Sequence, residues 1–266
     1  MGVKTERGFT TIEVLLFLAI TALLVFALMG GWTLSMNTQS YRDSMRSTVG
    51  FLQQQYANTA NVTIFERQGS SYDCGGTAGD ITPKTTISST VPNPNPRGQG
   101  DCAVLGRYIV IEGNDSSNIK SFPIIGYESK AAIGIDSTSG EAAAIAAYDP
   151  QRVNTSDAGL PTEEFPIPWS ARPYMAGART TNITVAMVII RSPISGIIHT
   201  YVQSNVADAA NPPAVKDVIA AAGSTNAFGF CIDPETAIAG NVQAIEVAKN
   251  AASADAIRLN PEGAGC

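Results

Sequence analysis

A long stretch without charge near the N-terminus constrains this chain more than any other feature of its sequence. No Asp, Glu, Lys or Arg occurs from Val14 to Tyr41, and the strongly apolar part runs from Val14 to Leu34. A helix needs about 20 such residues to cross the hydrocarbon of a bilayer. Lys4 and Arg7 precede the run. Because positive charge favours the cytoplasmic side, this predicts a cytoplasmic N-terminus with the bulk of the chain outside.

Glu13 separates two ordinary interpretations of the apolar run from a third. A cleaved secretory signal needs small residues at its cleavage site. Ala27 suits one position there, but Met29 does not suit the other. An uncleaved signal anchor would hold an unrelated ectodomain at the membrane. Neither interpretation accounts for a lone carboxylate at the start of the run, where a charge is costly and usually marks function or a partner.

The residues around Glu13 match a more specific signal. The stretch KTERGFTTIEVLLFLAI contains a basic leader, a Gly-Phe pair, a Glu four residues further on and an uncharged run. It resembles the class III signal of type IV pilins and pseudopilins. The resemblance implies that a prepilin peptidase removes the leader Met1–Gly8 by cutting between Gly8 and Phe9. It also implies that the new N-terminal residue, Phe9, is N-methylated.

The same resemblance implies that Glu13 acts in filament assembly. In this family the apolar helix holds the subunit in the inner (cytoplasmic) membrane. It later leaves the lipid and packs with copies of itself, or with other pilins, in an extracellular filament built by the pilus assembly platform. A carboxylate in such a core needs a cationic partner. The family's partner is the free N-terminal amine of a neighbouring subunit, here that of Phe9.

The sequence after the run predicts that the helix continues into a soluble head. Apolar residues recur there at spacings of four, four, three and four. These spacings form one stripe of an amphipathic helix. The members of the stripe are Tyr41, Met45, Val49, Leu52 and Tyr56.

We therefore expect one helix over residues 9–57, whose part 9–34 crosses the membrane or fills the filament core, and an extracellular head over 58–266. Gly30 and Gly31 interrupt the helical sequence. Many pilins carry a helix breaker in this region, so the resemblance implies that the helix is flexible at these glycines. Close packing of helices in a membrane is the alternative reason for them.

The head is predicted to be rich in strands. Pro123 predicts that the strand Ile119–Glu128 is an edge or bulged strand. The sequence RSP predicts a hairpin between the strands Ile183–Ile190 and Ile194–Val202. An antiparallel sheet packed on the second half of the long helix gives an α+β fold. The predicted strands are Leu105–Gly113, Ile119–Glu128, Ile183–Ile190, Ile194–Val202, Ala227–Asp233 and Asp255–Asn260.

Three further segments of the head carry weaker signals. Residues 58–104 are predicted to be irregular because they are rich in turn and loop residues. The segment 131–173 has no clear assignment and is interpreted as an insertion on the filament surface. Asp233 and Pro234 suit the start of a helix. Its inner face would consist of Ile238, Val242 and Ile245.

The four cysteines, Cys74, Cys102, Cys231 and Cys266, contain no C-x-x-C pair, which disfavours a zinc site. Separated cysteines in an exported chain favour disulfides. Four cysteines allow three connectivities. We favour the two local pairings, Cys74–Cys102 and Cys231–Cys266, and four reduced thiols are the alternative.

The remaining composition disfavours several classes of function. The formal net charge is −6, which argues against nucleic acid as the main partner. No motif for nucleophilic catalysis, phosphate binding or metal binding occurs, so we expect neither an enzyme nor a cofactor. His199, the only histidine, is expected to be structural. Trp169 is expected to be a buried anchor for its loop rather than a surface contact.

The position of the chain within the pilin family stays open at the sequence level. A major pilin, a minor pilin and a pseudopilin of type II secretion all fit the signal. The large head favours a minor or specialised subunit, for which adhesion and DNA uptake are possible tasks. A signal-anchored ectodomain is the rival outside the family.

Overall fold

The structure, a computed structural model, describes most of the long helix and the framework of the head. The described ranges are 10–61, 71–73, 82–84, 102–113, 117–127, 140–153, 162–175, 178–193, 195–204, 206–207, 211–222, 227–234, 242–248 and 251–260, with residues 236, 238 and 266.

Helix α1 runs without a break from Thr11 to Ala60, a length of 50 residues, or about 75 Å. Its first part projects from the head, and its second part packs against it. The stripe predicted from the sequence is buried, with exposed fractions between 0% and 8%, which confirms the amphipathic second half. The stripe consists of Tyr41, Met45, Val49, Leu52 and Tyr56.

The described part of the head contains two short helices and a larger number of strands. The helices are α2 (Glu141–Ala147) and α3 (Val215–Ala222). Within the described residues the strands are β1 (Ser71–Asp73), β2 (Thr82–Lys84), β3 (Cys102–Glu112), β4 (Asn118–Tyr127), β5 (Gln151–Arg152), β6 (Glu163–Pro166), β7 (Arg172–Met175), β8 (Ala178–Asn182), β9 (Thr184–Arg191), β10 (Ile198–Gln203), β11 (Phe228–Asp233), β12 (Ala244–Val247) and β13 (Ile257–Asn260).

These strands form two main sheets and one short hairpin, and every described pairing is antiparallel. The first sheet has the order β10-β9-β3-β4-β5, with β6 also paired to β4. The second has the order β13-β12-β11-β7-β8, and β1 pairs with β2. A long helix combined with antiparallel sheets confirms the predicted α+β class.

The first sheet is covered on both faces, because successive side chains of a strand point to opposite sides. Ile109 and Ile111 of β3 belong to the core that also contains Leu52 of α1. Val110, between them, belongs to a second cluster with Val218 of α3. The α1 core also includes buried residues of the second sheet, so the helix packs against both sheets.

Pro123 lies in the interior of the first sheet, so the predicted edge position is wrong, and the irregularity in the β3–β4 pairing lies between Val104 and Gly106 of β3. Strand β4 pairs with β3 along one side. On its other side, Asn118–Ser121 pair with β6, and Ile124–Ile125 pair with β5. Pro123 falls in the gap between these two partners, where a missing N–H breaks no ladder hydrogen bond.

The predicted hairpin is confirmed by the pairing of β9 with β10. Strand β10 begins at Ile198, and residues 192–193 and 195–197 belong to the connecting turn, while Ile194 lies outside the described residues. Within it, the Ser192 N–H donates to the Ile197 carbonyl at 2.8 Å, and the Gly196 N–H donates to the Ser192 carbonyl at 2.9 Å. Strands β3, β11 and β13 confirm three further predicted strands with small shifts of their bounds.

The helix predicted after Asp233 is wrong. The described residues of that segment contain strand β12, which lies between β11 and β13 in the second sheet. Ile245, expected on the inner face of a helix, is fully buried in this strand. Partners on both sides offer its backbone two ladders of hydrogen bonds, and this tertiary pairing overrides a weak local preference for helix.

The described parts of the segment 131–173 belong to the framework of the head and are not a surface insertion. They form α2, β5, β6 and a 3₁₀ turn at Pro168–Ser170. Ile145, Val153 and Ile167 from this segment are buried. The segment therefore supplies an edge to the first sheet and part of both cores.

Cys231 and Cys266 form a disulfide, with their Cα atoms 5.8 Å apart. This confirms one predicted pairing, and it ties the C-terminal residue to the interior strand β11. Cys74 lies outside the described residues, so its pairing with Cys102 stays a prediction.

Candidate membrane and assembly segment

The first half of α1 exposes a continuous apolar surface. The exposed fractions of its large apolar side chains lie between 42% and 78%. Soluble monomers rarely expose so large an apolar patch, and one of this kind marks a membrane or partner contact. The side chains are Ile12, Val14, Leu15, Leu16, Phe17, Leu18, Ile20, Leu23, Leu24, Val25, Phe26, Leu28, Met29, Trp32, Leu34 and Met36.

This half of α1 is long and apolar enough to cross a membrane, and no other described residue covers its apolar window. Hydroxyl groups in it donate to carbonyl groups of the same helix. Thr21 donates to the Phe17 carbonyl at 2.9 Å, and Thr33 donates to the Met29 carbonyl at 2.9 Å. A helix in lipid must satisfy its polar groups internally in this way.

Glu13 lies in the first turn of α1, where the structure shows a local role that the sequence analysis missed. The Glu13 N–H donates to the side-chain oxygen of Thr10, the N-cap residue, at 3.4 Å. The pattern Thr-x-x-Glu before an apolar run is the sequence signal of a capping box. A carboxylate at this end also interacts favourably with the helix dipole.

The carboxylate of Glu13 is nevertheless available to a partner. Glu13 is exposed, and no cation pairs with it among the residues that the structure describes. Gly8 and Phe9, the predicted cleavage and methylation residues, lie outside the described residues. The predicted contact between Glu13 and the Phe9 amine of a neighbour therefore stays a prediction.

Gly30 and Gly31 lie within unbroken helix. A Cβ atom at either position would meet no other atom within 4 Å. Packing within this chain therefore does not require glycine here. The predicted flexibility and the alternative, close approach of another helix, both concern the assembled or membrane state.

A buried polar network attaches the second half of α1 to the first sheet. Gln55 is fully buried. Its Oε1 accepts from the Ser121 hydroxyl at 2.7 Å, and its Nε2 donates to Glu163 Oε2 at 2.9 Å. Arg107 donates to Glu163 Oε1 at 3.3 Å, and burial lowers the pKa of Arg107 while Glu163 opposes that shift. Since unpaired buried polar groups are costly, this network specifies how the helix sits on the sheet.

Tyr56 makes a second polar contact between α1 and the head. Its hydroxyl lies 2.7 Å from Thr200 Oγ1. Thr200 in turn donates to the Ala251 carbonyl at 2.8 Å. Burial raises the pKa of Tyr56 to about 12, so the phenol stays neutral and can donate this hydrogen bond at physiological pH.

Two further contacts join α1 to the head at positions nearer the apolar half of the helix. The Ser44 hydroxyl donates to the Pro168 carbonyl at 3.1 Å. The hydroxyl of Tyr41 accepts from the Gln243 N–H at 2.7 Å. Tyr41 is the last residue of the uncharged part of α1, and Ser44 follows three residues later, so the head begins directly beside the apolar segment.

His199 lies beside Glu141, with Nε2 and Oε2 separated by 3.9 Å. Hydrogen bonds from Ser192 and Ser195 lower the pKa of Glu141. The two serine side chains thus hydrogen-bond to the carboxylate of Glu141. Nucleophilic catalysis needs instead a hydroxyl that donates to a base such as imidazole. The geometry suits a link between the start of α2 and the β9–β10 turn.

Trp169 is on the surface, and the buried position predicted for it is wrong. The side chain is 64% exposed. It belongs to the 3₁₀ turn at Pro168–Ser170 and has left-handed backbone angles, φ 64° and ψ 31°. Such angles are unusual for a bulky residue, and residues of this kind cluster at functional contacts.

Comparison with known proteins places the chain in no family. No protein-family model matches it, and neither a curated protein nor a solved structure is significantly similar to it. Among the described residues, no group of three or more His, Cys, Asp or Glu side chains is arranged to hold a metal ion.

Proposed function

We propose that this protein is a type IV pilin-like structural subunit. A prepilin peptidase removes residues 1–8, and Phe9 becomes the methylated N-terminus. The apolar half of α1 holds the subunit in the inner membrane before assembly. On assembly the helix leaves the lipid and packs with copies of itself or with other pilins, while the head faces outward.

The division of α1 into two halves carries this proposal. One continuous helix is exposed and apolar over its first half and is clamped to the head by the stripe at Tyr41–Tyr56 over its second. A membrane anchor alone needs only the first half. Rigid attachment of the same helix to the head suits a subunit whose helix must carry its head to a defined place in a filament.

Glu13 then sets the register between neighbouring subunits. Its carboxylate is exposed at the start of the helix, and the backbone there is already capped by Thr10. In a filament core the unpaired carboxylate would be costly. The Phe9 amine of the next subunit neutralises it only at one axial position, and this selects the stacking distance.

A signal-anchored ectodomain is the rival proposal, and one observation favours it. Thr10 is the N-cap and Glu13 lies in the first turn, where the capping-box pattern and the helix dipole favour a glutamate without any partner subunit. Under this proposal the N-terminus is not processed at Gly8, and the charge of Glu13 has no effect beyond helix stability.

Mass spectrometry of the N-terminus of the protein from its native cells separates the two proposals. A mature chain that begins at Phe9 and carries one added methyl group supports the pilin-like subunit. A chain that begins at Met1, or after the apolar run, contradicts it and supports an anchored or secreted protein. The same cells, sheared and fractionated, show whether the subunit enters an extracellular filament.

A further inference from the structure

The exposed tryptophan of the head lies at its membrane-facing end. Strand β6 runs along α1 from Glu163, which contacts Gln55, to the turn at Pro168, which contacts Ser44. It therefore runs towards the apolar half of the helix. Trp169 follows Pro168 directly, so it lies at the end of the head from which the apolar segment emerges.

The length of the uncharged segment places this end at the outer surface of a bilayer. The segment Val14–Tyr41 contains 28 residues without a charge. At 1.5 Å per residue it spans about 42 Å, which matches the thickness of about 40–45 Å of a bilayer with its headgroup layers. Arg42, the next residue, then lies in the aqueous phase. Ser44, two residues further on, donates a hydrogen bond to Pro168 in the Pro168–Ser170 turn.

The exposure and backbone conformation of Trp169 fit a position at the bilayer surface. The side chain is 64% exposed although its backbone is held in a left-handed conformation, which L residues with bulky side chains rarely adopt. Folding of the head therefore does not require an indole here. Tryptophan is enriched at membrane–water interfaces, where its apolar ring enters the headgroup layer and its N–H stays hydrated.

We propose that Trp169 docks the head onto the phospholipid surface while the subunit is held in the membrane. The partner is the headgroup layer of the bilayer that the apolar half of α1 crosses. The contact orients the head before assembly and is broken when the subunit leaves the lipid. This inference rests on the membrane placement in the proposed function.

The two tryptophans of the chain allow a direct test. Trp32→Phe leaves Trp169 as the only indole, and Trp169→Phe leaves Trp32 as the only indole. Each full-length variant is reconstituted into phosphatidylcholine vesicles whose acyl chains carry bromine either near the headgroup or deep in the hydrocarbon. Fluorescence quenching by bromine then reports the depth of each tryptophan.

A third variant supplies a reporter at the opposite end of the head. Strand β9 runs antiparallel to β3, which is antiparallel to β4, and β4 is antiparallel to β6. The β9–β10 turn therefore lies away from the membrane. Ile197 in this turn is 52% exposed, so Ile197→Trp, in a chain that also carries Trp32→Phe and Trp169→Phe, places an indole there.

The expected result is loss of Trp169 fluorescence with shallow bromine, less loss with deep bromine, and a blue shift relative to the protein in detergent. Trp32 is expected to be quenched, and the indole at position 197 is expected to be unaffected. Quenching of Trp32 without quenching of Trp169 overturns the docking contact and leaves the membrane placement intact.

Two other outcomes also overturn the inference. In the first, brominated lipid does not quench Trp169, but Trp169 becomes more protected from a soluble quencher as the protein concentration rises. This result assigns Trp169 to a contact with a second copy of the chain. Absence of quenching at Trp32 shows that the helix does not enter the bilayer, and the membrane step of the proposed function then fails together with the docking contact.

Discussion

Single residues in the first turn of α1 have overlapping physical roles that substitution can separate. Glu13 has a backbone N–H that is capped by Thr10 and a carboxylate that is free of described partners. The contact with Thr10 uses only the backbone of residue 13, and glutamine serves as well as glutamate in a capping box. The assembly role depends on charge.

We therefore expect Glu13→Gln to remain in the membrane but to assemble poorly. Loss of one partner from a buried ion pair costs about 3–5 kcal/mol, so filament yield should fall by an order of magnitude or more. Thr10→Ala is the matched control, since it removes the cap at a cost of about 1 kcal/mol but keeps the charge. The measurement is the amount of subunit in the sheared fraction relative to the membrane fraction. Equal yields for the two variants would leave Glu13 with a capping role alone.

Tyr56 makes the attachment of α1 sensitive to alkaline pH. Its pKa rises from the ordinary value of 10.0 to about 12 on folding. The neutral phenol is thus favoured in the folded state. The resulting stability is complete below pH 10 and is lost as the pH rises through 12. A shift of this size corresponds to about 3 kcal/mol.

Tyr56→Phe is expected to show a smaller loss of unfolding free energy between pH 10 and 12 than the unmodified protein. At neutral pH the variant should be less stable by about 1 kcal/mol, because the hydrogen bond to Thr200 is lost. Denaturant titrations across this pH range check both values. An unchanged alkaline slope would show that Tyr56 ionises in the folded state as it does in the unfolded state.

At the scale of secondary-structure elements, α1 is one continuous helix whose two halves lie in different environments. The half that contacts the head obeys the packing rules of a soluble core, and the apolar half contributes almost nothing to the stability of the head. A pair of identical substitutions in the two halves should show this difference.

Leu52→Ala is expected to lower the unfolding free energy of the head by about 2–5 kcal/mol, since Leu52 is fully buried and the change leaves a cavity. Leu24→Ala makes the same chemical change at a side chain that is 55% exposed, and its effect should stay within about 0.5 kcal/mol. Denaturant unfolding in detergent, followed by a signal from the head, provides the comparison. Equal losses would mean that the apolar half folds back onto the head.

At the scale of the whole molecule, the disulfide Cys231–Cys266 connects the end of the chain to the interior of the second sheet. The sequence separation of 35 residues corresponds to about 4 kcal/mol in the chain-entropy model. The link also holds Cys266 beside β11.

A chain with both Cys231→Ala and Cys266→Ala should therefore lose about 3–4 kcal/mol of unfolding free energy. Reduction of the unmodified protein with dithiothreitol is the companion measurement. A larger loss on reduction than in the double variant would indicate that Cys74 and Cys102 form the second predicted bridge. A double variant as stable as the unmodified protein would contradict a structural role for the link at Cys231.

The sequence predictions that the structure confirmed were based on local periodicity. The helix, its division into two halves and the buried stripe at Tyr41–Tyr56 follow from spacings within one element. The β9–β10 hairpin and the α+β class follow from short β-rich runs separated by turn residues. Each of these signals is contained in neighbouring residues.

The features that the sequence predicted wrongly or missed depend on contacts between distant segments. Ile245 lies in a strand because β11 and β13 offer hydrogen bonds on both sides. The network of Gln55 with Ser121 and Glu163 requires three separate elements to meet. The exposure of Trp169 likewise depends on which surfaces remain uncovered once β6 has packed along α1.

The sequence by itself determined that this protein has one long helix with an uncharged, membrane-length first half and a carboxylate at its start, since composition and period are properties of the chain alone. Only the tertiary structure decided how the second half of that helix is clamped to the head, which strands lie inside the sheets and which end of the head faces the apolar segment. Those properties arise from burial and hydrogen bonding between residues far apart in the chain.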